Sequence, residues 1–531
     1  MITQLTIYLV LVIAAFSLAI ILKRSFEEVI PLVFMGIVFL MFLAGMVGQL
    51  SIGVYAVFLC LFFLWRLAIK CMRKEDCIST AIGYLMTPAF FIFTFIFACV
   101  TIFNIRRVPY TWDEYSVWAS SVKIMTLWDH FGTVKEAKLL AAAYPPGMAC
   151  FQYFVQKINI LLRNSEFSEW RLYFAYQLFV YSMLMPFLRG LRHRKVYDSI
   201  LSMAIVIIAP LFCLEHLFWS VYIDTFLSVL FGVGMAFVCF WDHMDRYYTI
   251  MTAFIMAILV LSKAAGLFLA IIVALCLILR IYKNKVVHGK KDDKIYRKML
   301  SHLGIIIGSI GIPHLLWQIN VKLSGCHIIL TKKIDWLDFL KVLFGKSSSA
   351  HMEIFRAFIA NLGEPVFSLK NLNISITLPG MAILICVFLF IAAGLVKDKF
   401  PGADVQIKRE KLVGILLVGL FIYTIGMLLM YIYKIPDSSL PSYGRYMGIY
   451  LLGITVCGIC GFLLIYPKRI TNTGIEMVLA LCLIVLGPQN DLADFVAFKY
   501  QNATLASRSK YVDLVNRYQA IRGGDMRRYF C

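Results

Sequence analysis

The chain is organised around residues 110–147, which read YTWDEYSVWASSVKIMTLWDHFGTVKEAKLLAAAYPPG. This first long polar interval follows four apolar runs and carries two adjacent carboxylates, Asp113 and Glu114. Four aromatic residues frame the pair: Tyr110, Trp112, Tyr115 and Trp118. The interval closes in YPPG (144–147), where two prolines fix φ and remove backbone donors, so the chain must turn. Paired acids beside long apolar runs are costly unless they have partners or a function, and this stretch is therefore the first candidate for a site.

Composition places the chain in the membrane. Of its 531 residues 61% are hydrophobic and 15% charged, whereas soluble domains carry about 25% charged residues. Apolar runs of roughly 20 residues recur along the whole length, which is typical of polytopic helical membrane proteins. The first 22 residues have no basic leading segment and no clear cleavage site, so we expect a spanning helix there and not a signal peptide. We expect one transmembrane domain over residues 1–488, with no separate soluble domain.

The periodicity predicts an all-α polytopic protein, a helical bundle with about 13–14 transmembrane helices. We place the spans at 2–22, 29–48, 52–70, 82–103, 172–189, 199–218, 222–241, 249–262, 264–282, 301–319, 374–396, 411–433, 446–466 and 474–488. The segment 148–163 is too short and too polar to span, so we expect a helix lying in the interface plane at the outer face.

Short basic loops orient the bundle. Given the alternation of the spans, the short basic loops all fall on one side of the membrane, which we assign to the cytoplasm because cytoplasmic loops are enriched in Lys and Arg. These loops are 23–24, 66–74, 189–195, 280–298, 397–411 and 468–469. The remaining loops then lie outside: an outer catalytic loop at 104–171, a lid-like loop at 320–372, a short loop at 434–445 and a C-terminal tail at 489–531. Within 320–372 we expect two amphipathic surface helices separated by a flexible break at 345–349, acting either as a lid or as a fixed cover.

Net charge and cysteine usage exclude several classes of function. A formal charge of +21 in a membrane protein reports topology and contact with anionic lipid or substrate, and it does not indicate nucleic-acid binding. The fourteen cysteines lie mostly within apolar runs, where they behave as small hydrophobes. We expect no disulfide framework, and the scattered histidines have no ligand spacing.

The acidic pair allows more than one chemistry. Adjacent residues face different ways on a helix or a strand, so one of Asp113 and Glu114 can point into a cleft while the other pairs or caps. A carboxylate in a cleft can accept a proton from a nucleophile, or it can help to hold a divalent cation. The pair can equally cap a helix that begins near Tyr115.

Three more charged residues lie close to the predicted outer rim. Asp224 follows WSVYI at the start of a span, Lys263 interrupts LVLSKAAGL, and Arg445 stands in SYGRY beside Tyr446. Each has an ordinary interpretation, as a helix cap, a snorkelling lysine or an interfacial anchor. Because all share one face with the acidic pair, together they indicate a site that binds an anionic lipid-linked substrate and performs acid–base chemistry.

A set of short motifs follows this order along residues 82–466: the helix 82–103, the acidic pair in WDEY (112–115), the proline pair in YPPG (144–147), an interfacial stretch ending at Arg171, the helix break LSKAAGL (261–267) and the Arg-Tyr element SYGRY (442–446). In these motifs the chain resembles the GT-C superfamily of membrane glycosyltransferases, which includes protein O-mannosyltransferases and aminoarabinose transferases.

The resemblance implies an external active site and a sugar donor linked to polyprenyl phosphate. It makes Asp113 the candidate base with Glu114 as its substitute, and it makes Lys263 and Arg445 candidate contacts to the donor phosphate. Asp224 becomes a second acid. Further candidates in the same motifs are Trp112, Tyr144 and Tyr446. The acceptor stays unidentified, and a bacterial plasma membrane is the favoured location.

Two other functions remain open from the sequence. A transporter or flippase for a lipid-linked glycan would place ionisable residues near the bilayer midplane, in repeat-related broken helices. A ligase or polymerase of the O-antigen type, using a lipid-diphosphate donor, would rely on external arginine and histidine more than on an acidic loop.

Overall fold

The computed structural model confirms an all-α polytopic membrane protein. It describes residues 2–75, 78–134, 137, 139–163, 167–193, 220–241, 245–287, 293–326, 334–369, 374–377, 379–380, 383, 409–465, 506 and 509. Within these residues, eight helices are long and apolar enough to cross a membrane. Two further apolar helices are shorter, Pro88–Asn104 and Arg246–Val260. The predicted spans 199–218 and 474–488, most of 374–396 and nearly all of the tail 489–531 lie outside the described residues.

The helices in chain order are α1 (Ile2–Leu22), α2 (Phe26–Val47), α3 (Leu50–Glu75), α4 (Ile78–Leu85), α5 (Pro88–Asn104), α6 (Ala119–Trp128), α7 (Gly147–Arg163), α8 (Trp170–Leu184), α9 (Ile223–Phe240), α10 (Arg246–Val260), α11 (Ala264–Val287), α12 (Asp293–Ser324), α13 (Trp336–Leu343), α14 (Ser349–Asn361), α15 (Arg409–Tyr433) and α16 (Tyr443–Ile465). A π-helical turn at Glu114–Trp118 precedes α6, and a 3₁₀ segment at Met185–His193 follows α8.

The segments predicted to be external meet at one end of the bundle, which we call the loop face. The amide of Ser51 donates to Asp129 at 3.1 Å, and the indole of Trp317 donates to the carbonyl of Ala143 at 2.9 Å. At the opposite end Thr87 donates to Glu27 at 2.7 Å, and Arg24 pairs with Asp245. At each end of the bundle the structure therefore brings together the loops that the sequence placed on one side of the membrane.

The centre of the described bundle is α9, which is almost fully buried. It runs parallel to α16, and both helices begin at the loop face. At Gly232 an added Cβ would lie 2.3 Å from the carbonyl oxygen of Gly453, so the two backbones approach as only glycine allows. This close packing holds the N-terminal ends of α9 and α16 side by side at the loop face.

Helix α7 lies along the loop face. At its start Gly147 N–H donates to the Leu261 carbonyl at 2.6 Å, in its middle Tyr153 donates to Asp129, and near its end Asn159 accepts from Thr3 at 3.0 Å. All three contacts belong to the same end of the bundle, as the prediction of a non-spanning helix required. The helix is, however, buried over most of its length beneath the loop, and does not lie open at the interface.

The predicted span 82–103 is wrong as a single helix. The structure divides it into α4 and α5, because Pro88 has no N–H to continue the ladder. Thr87 caps the new start by accepting from the amide of Phe90 at 3.3 Å. Proline also shortens the next predicted span, 172–189, since Pro186 lies where α8 gives way to the 3₁₀ segment.

Two other boundaries differ from the prediction. Helix α2 begins at Phe26, before the predicted 29, and carries the buried Glu27 and Glu28 in its first turn. The predicted start of a span at 374 is wrong, because Ile374–Thr377 forms a strand antiparallel to Pro365–Leu369. Hydrogen bonds between strands satisfy backbone groups that the sequence pattern assigned to a helix.

The two predicted surface helices are present as α13 and α14. Gly345, with φ of +71°, lies in the break between them. Asp338 of α13 joins them, because it lies 2.7 Å from His351 Nδ1 of α14 and accepts from Tyr433 at 2.8 Å. On α14, Phe358 packs edge-on against Tyr443, with ring centroids 5.3 Å apart. The two surface helices therefore pack against the end of α15 and the start of α16.

Candidate functional site

Four charged side chains from distant parts of the chain meet at the loop face, and we call them the ion cluster: Asp113, Asp224, Lys263 and Arg445. Arg445 Nη1 donates to Asp113 Oδ2 at 2.6 Å, and Arg445 Nε lies 3.4 Å from Asp224 Oδ2. Lys263 Nζ donates to Asp224 Oδ1 at 2.5 Å. The cluster is therefore a continuous row in which two carboxylates balance two cations. The sequence predicted each member as a candidate, and the structure brings all four together.

Helix ends position most of the cluster. Asp224 lies in the first turn of α9, Arg445 in the first turn of α16, and Lys263 directly before α11. The partial positive charge of a helix N-terminus favours an acid there, but it disfavours a cation by about 0.3–1 kcal/mol. Two cations at helix N-termini therefore need anions beside them, whether the acids of the cluster or an anionic ligand. Converging helix N-termini are also a common binding site for phosphate.

The YPPG turn (144–147) contacts the Lys263 break. Leu261, Ser262 and Lys263 separate α10 from α11, at the break that the sequence predicted from LSKAAGL. Gly147 lies so close to this break that a Cβ on it would be 2.8 Å from the Leu261 carbonyl oxygen. The YPPG turn therefore ends against the segment that presents Lys263, which explains why a glycine follows the two prolines.

Aromatic rings enclose the two cations. Lys263 Nζ lies 4.8 Å from the ring centre of Tyr446 and 5.9 Å from that of Trp118. Arg445 lies 4.8 Å from the ring centre of Tyr222. Tyr144 stacks on Trp118 with ring centroids 5.7 Å apart. Faces of aromatic rings attract cations most strongly where water is excluded, so these rings hold the cations in place.

The surroundings keep Lys263 charged and Tyr144 neutral. Burial lowers the pKa of Lys263, but attraction to Asp224 and to the hydroxyls of Tyr446 and Tyr144 outweighs it, so the pKa is raised. Burial raises the pKa of Tyr144, against the opposing effect of Lys263. The cluster therefore offers a permanent ammonium group with a phenol beside it.

Glu114 faces the interior and not the cluster. Its Oε2 accepts from the amides of Tyr110 and Thr111 at 3.0 and 3.2 Å. Its Oε1 accepts from the Tyr173 hydroxyl at 2.7 Å and from the Val221 amide at 3.1 Å. With both oxygens occupied and the side chain fully buried, Glu114 cannot accept a proton from an incoming nucleophile. The expectation that it substitutes for Asp113 is therefore not supported, and Glu114 anchors the loop instead.

Two contributors to the site were not predicted, Tyr222 and Arg107. Tyr222 covers Arg445 and donates to Thr111 at 3.0 Å. Arg107 is buried beside Glu114, with its guanidinium 4.1 Å from the ring centre of Tyr173. Their only sequence signal was position, since Tyr222 stands two residues before Asp224 and Arg107 opens the loop. In contrast, the predicted candidate Trp112 is 75% exposed and none of the cluster contacts described above involves it.

Two cavities lie near the cluster. A small one of about 30 Å³ is bounded by Trp118, Tyr144 and Ser262. A larger apolar groove of about 350 Å³ runs between α11 and α15 and is lined by Ile272, Leu275, Cys276, Leu279, Gly414, Ile415, Val418, Gly419 and Ile422. The lining residue of α11 that is nearest to the cluster is Ile272. It lies about 14 Å from Lys263 along the helix axis, at a rise of about 1.5 Å per residue. Next to Ile422, Tyr423 donates to the Tyr446 carbonyl at 2.8 Å, which links the groove to the cluster.

No group of three or more His, Cys, Asp or Glu side chains is arranged as metal ligands in the part of the chain that the structure describes. No known protein-family model matches the chain, and a comparison with curated proteins gives no significant match.

Proposed function

We propose that this protein is a membrane glycosyltransferase that moves a sugar from a polyprenyl-phosphate donor to an acceptor at the outer face of a plasma membrane. The observation that carries the proposal is the ion cluster. The partly exposed Asp113 is paired with Arg445, and Arg445 and Lys263 both lie next to the second acid, Asp224. Arg445 and Lys263 are two cations that can bind a phosphate. The resemblance of the WDEY, YPPG and SYGRY motifs to GT-C enzymes supports the same assignment.

The transfer is an inverting displacement. Asp113 accepts the proton of an acceptor hydroxyl, and the hydroxyl oxygen attacks the anomeric carbon of the sugar. The bond between that carbon and the phosphate oxygen breaks, so polyprenyl phosphate leaves with an added negative charge. Arg445 and Lys263 stabilise this charge, because cations placed where charge develops lower the barrier. Asp113 is 31% exposed in its side chain, which allows an acceptor to approach it.

The apolar groove suits the prenyl chain of the donor. Its lining is almost entirely aliphatic, and it opens sideways between two candidate spans, where a lipid can enter from the bilayer. A chain in this groove would lead toward the cluster through the level of Tyr423. The groove and the cluster together supply the two halves of a lipid phosphate site, one apolar and one cationic.

The position of the charges favours transfer over transport. A transporter places ionisable residues near the midplane of the bilayer, whereas Asp224, Lys263 and Arg445 stand at helix ends on the loop face. An acid beside a phosphate-binding pair also has a direct role in glycosyl transfer.

The test is genetic and chemical. Cells lacking the protein are complemented with the wild type, D113N or D437N, and their envelope glycans are compared by mass spectrometry. Asp437 is an exposed acid on the same face, so D437N is the matched control for loss of charge. We expect loss of one glycan species with D113N at normal protein level, and full restoration with D437N. Full restoration by D113N would refute the proposed function.

A further inference from the structure

We infer that the donor phosphate and Asp113 compete for Arg445, so that arrival of the donor releases the base. The inference rests on the proposed function and concerns the regulation of the same site. Asp113, the acid most suited to accept a proton, is engaged by Arg445, whose Nη1 donates to its Oδ2 at 2.6 Å.

Arg445 is shared unequally between its two acids. Its contact with Asp113 is a hydrogen-bonded ion pair, while Nε lies 3.4 Å from Asp224 without forming a hydrogen bond. Asp224 is 5% exposed in its side chain and is held by Lys263, whereas Asp113 is 31% exposed. The partially solvated partner is the easier one to displace, because exposed ion pairs contribute little stability.

A phosphate offers Arg445 a better partner than Asp113 does. The guanidinium can grip two phosphate oxygens at once. The phosphodiester anion of the donor also gains from the N-terminal end of α16 and from Lys263. Asp224 keeps Lys263 and Arg445 in place during the exchange. Once Arg445 turns to the phosphate, Asp113 Oδ2 becomes available to the acceptor hydroxyl, so that an acceptor is deprotonated only when a donor is present.

The competition predicts that removing the charge of the base strengthens the binding of phosphate. D113N should bind a polyprenyl monophosphate about threefold to fivefold more tightly than the wild type, because the phosphate no longer displaces a carboxylate, and exposed ion pairs are about that strong. Loss of simple charge repulsion would also tighten binding, but it would do so whether or not Arg445 is present.

A double-mutant cycle separates the two causes. Affinities for a sugar-free polyprenyl monophosphate are measured on the purified full-length protein in lipid nanodiscs, for the wild type, D113N, R445Q and D113N/R445Q. Inorganic phosphate is a second probe that reports the phosphate group without the lipid chain. We expect D113N to tighten binding only where Arg445 is retained. An equal gain in both backgrounds, or no gain, would overturn the inference and leave the proposed function intact.

A second measurement uses the unaltered chain, in case R445Q does not fold. Carboxylates are labelled with a water-soluble carbodiimide and an amine, and labelling is measured by mass spectrometry. We expect polyprenyl phosphate to increase the labelling of Asp113 while that of Asp437 stays constant. Saturable binding with no change at Asp113 would refute the competition, whereas no binding of polyprenyl phosphate at any concentration would refute both the proposed function and this inference.

Discussion

The anchoring role of Glu114 gives the sharpest prediction about stability. In E114Q one carboxylate oxygen becomes an NH₂ group, which cannot accept the hydrogen bonds that Glu114 receives. If the amide replaces Oε2, the N–H groups of Tyr110 and Thr111 both lose their acceptor. If the NH₂ group replaces Oε1, the Tyr173 hydroxyl can donate instead to the Val108 carbonyl, 3.3 Å away, but the Val221 amide loses its acceptor.

The second arrangement is the less costly, and its cost sets the expected effect. One stranded donor that had a charged acceptor costs about 1.5–3 kcal/mol, and each of the two remaining bonds weakens by about 1 kcal/mol when the acceptor becomes neutral. The total therefore exceeds about 3 kcal/mol. Loss of the negative charge beside the buried Arg107 adds to it, because an ion left without its counter-charge is strongly unfavourable.

The assay is hydrogen exchange of the loop in the purified protein, followed by mass spectrometry of peptides that cover residues 105–128. A loss of about 3 kcal/mol in the free energy of local opening raises exchange about 100-fold, at about 1.4 kcal/mol per tenfold. D113N is the matched control, since its partially exposed ion pair contributes about 1 kcal/mol or less. Equal exchange in E114Q and D113N would refute the assignment of Glu114 as the anchor.

Two further predictions concern the groove and the acid stability of the loop. G414L should weaken binding of polyprenyl phosphate at least about tenfold by filling the groove, whereas G426L on the same helix should not. An added Cβ meets nothing within 4 Å at either position, and Gly414 alone of the two lines the groove; equal effects would contradict the groove assignment. Burial raises the pKa of Asp129, but hydrogen bonds from Ser51 and Tyr153 and the charge of Lys157 outweigh it, so the pKa is lowered from its ordinary value. A lowered pKa stabilises the fold above the unfolded value, and this stabilisation is lost as pH falls through the folded value. The thermal unfolding temperature, measured as a function of pH, should therefore fall below about pH 4 in the wild type, and D129N should lack this fall. An equal fall in D129N would contradict the prediction.

Much of the fold could be predicted from the sequence because the bilayer constrains the sequence of a spanning segment strongly. Each span must satisfy its own backbone, so long apolar runs mark helices with little ambiguity. The first predicted span, 2–22, agrees with α1 to the residue, and the break at 262–263 lies where it was expected. Errors arose where proline or strand pairing overrode hydropathy, as at Pro88 and at residues 374–377.

The site was only partly predictable. The charged candidates could be found because charge is rare in apolar sequence, so Asp224, Lys263 and Arg445 stood out without any knowledge of their neighbours. Their partners could not be found, since Asp113 and Arg445 are 332 positions apart and nothing local links them. Tyr222 and Arg107 were missed for the same reason, because a tyrosine or an arginine near a rim has many ordinary roles.

The sequence by itself determined that this chain lies in a membrane as a bundle of helices, because burying apolar runs and satisfying backbone groups are local requirements. It also determined which charges are exceptional. Only the tertiary structure decided which carboxylate of the adjacent pair faces outward. Besides two local amides, Glu114 accepts from Tyr173 of α8 and from Val221, just before α9, while Asp113 pairs with Arg445. That choice depends on groups supplied by other helices, which no local pattern encodes.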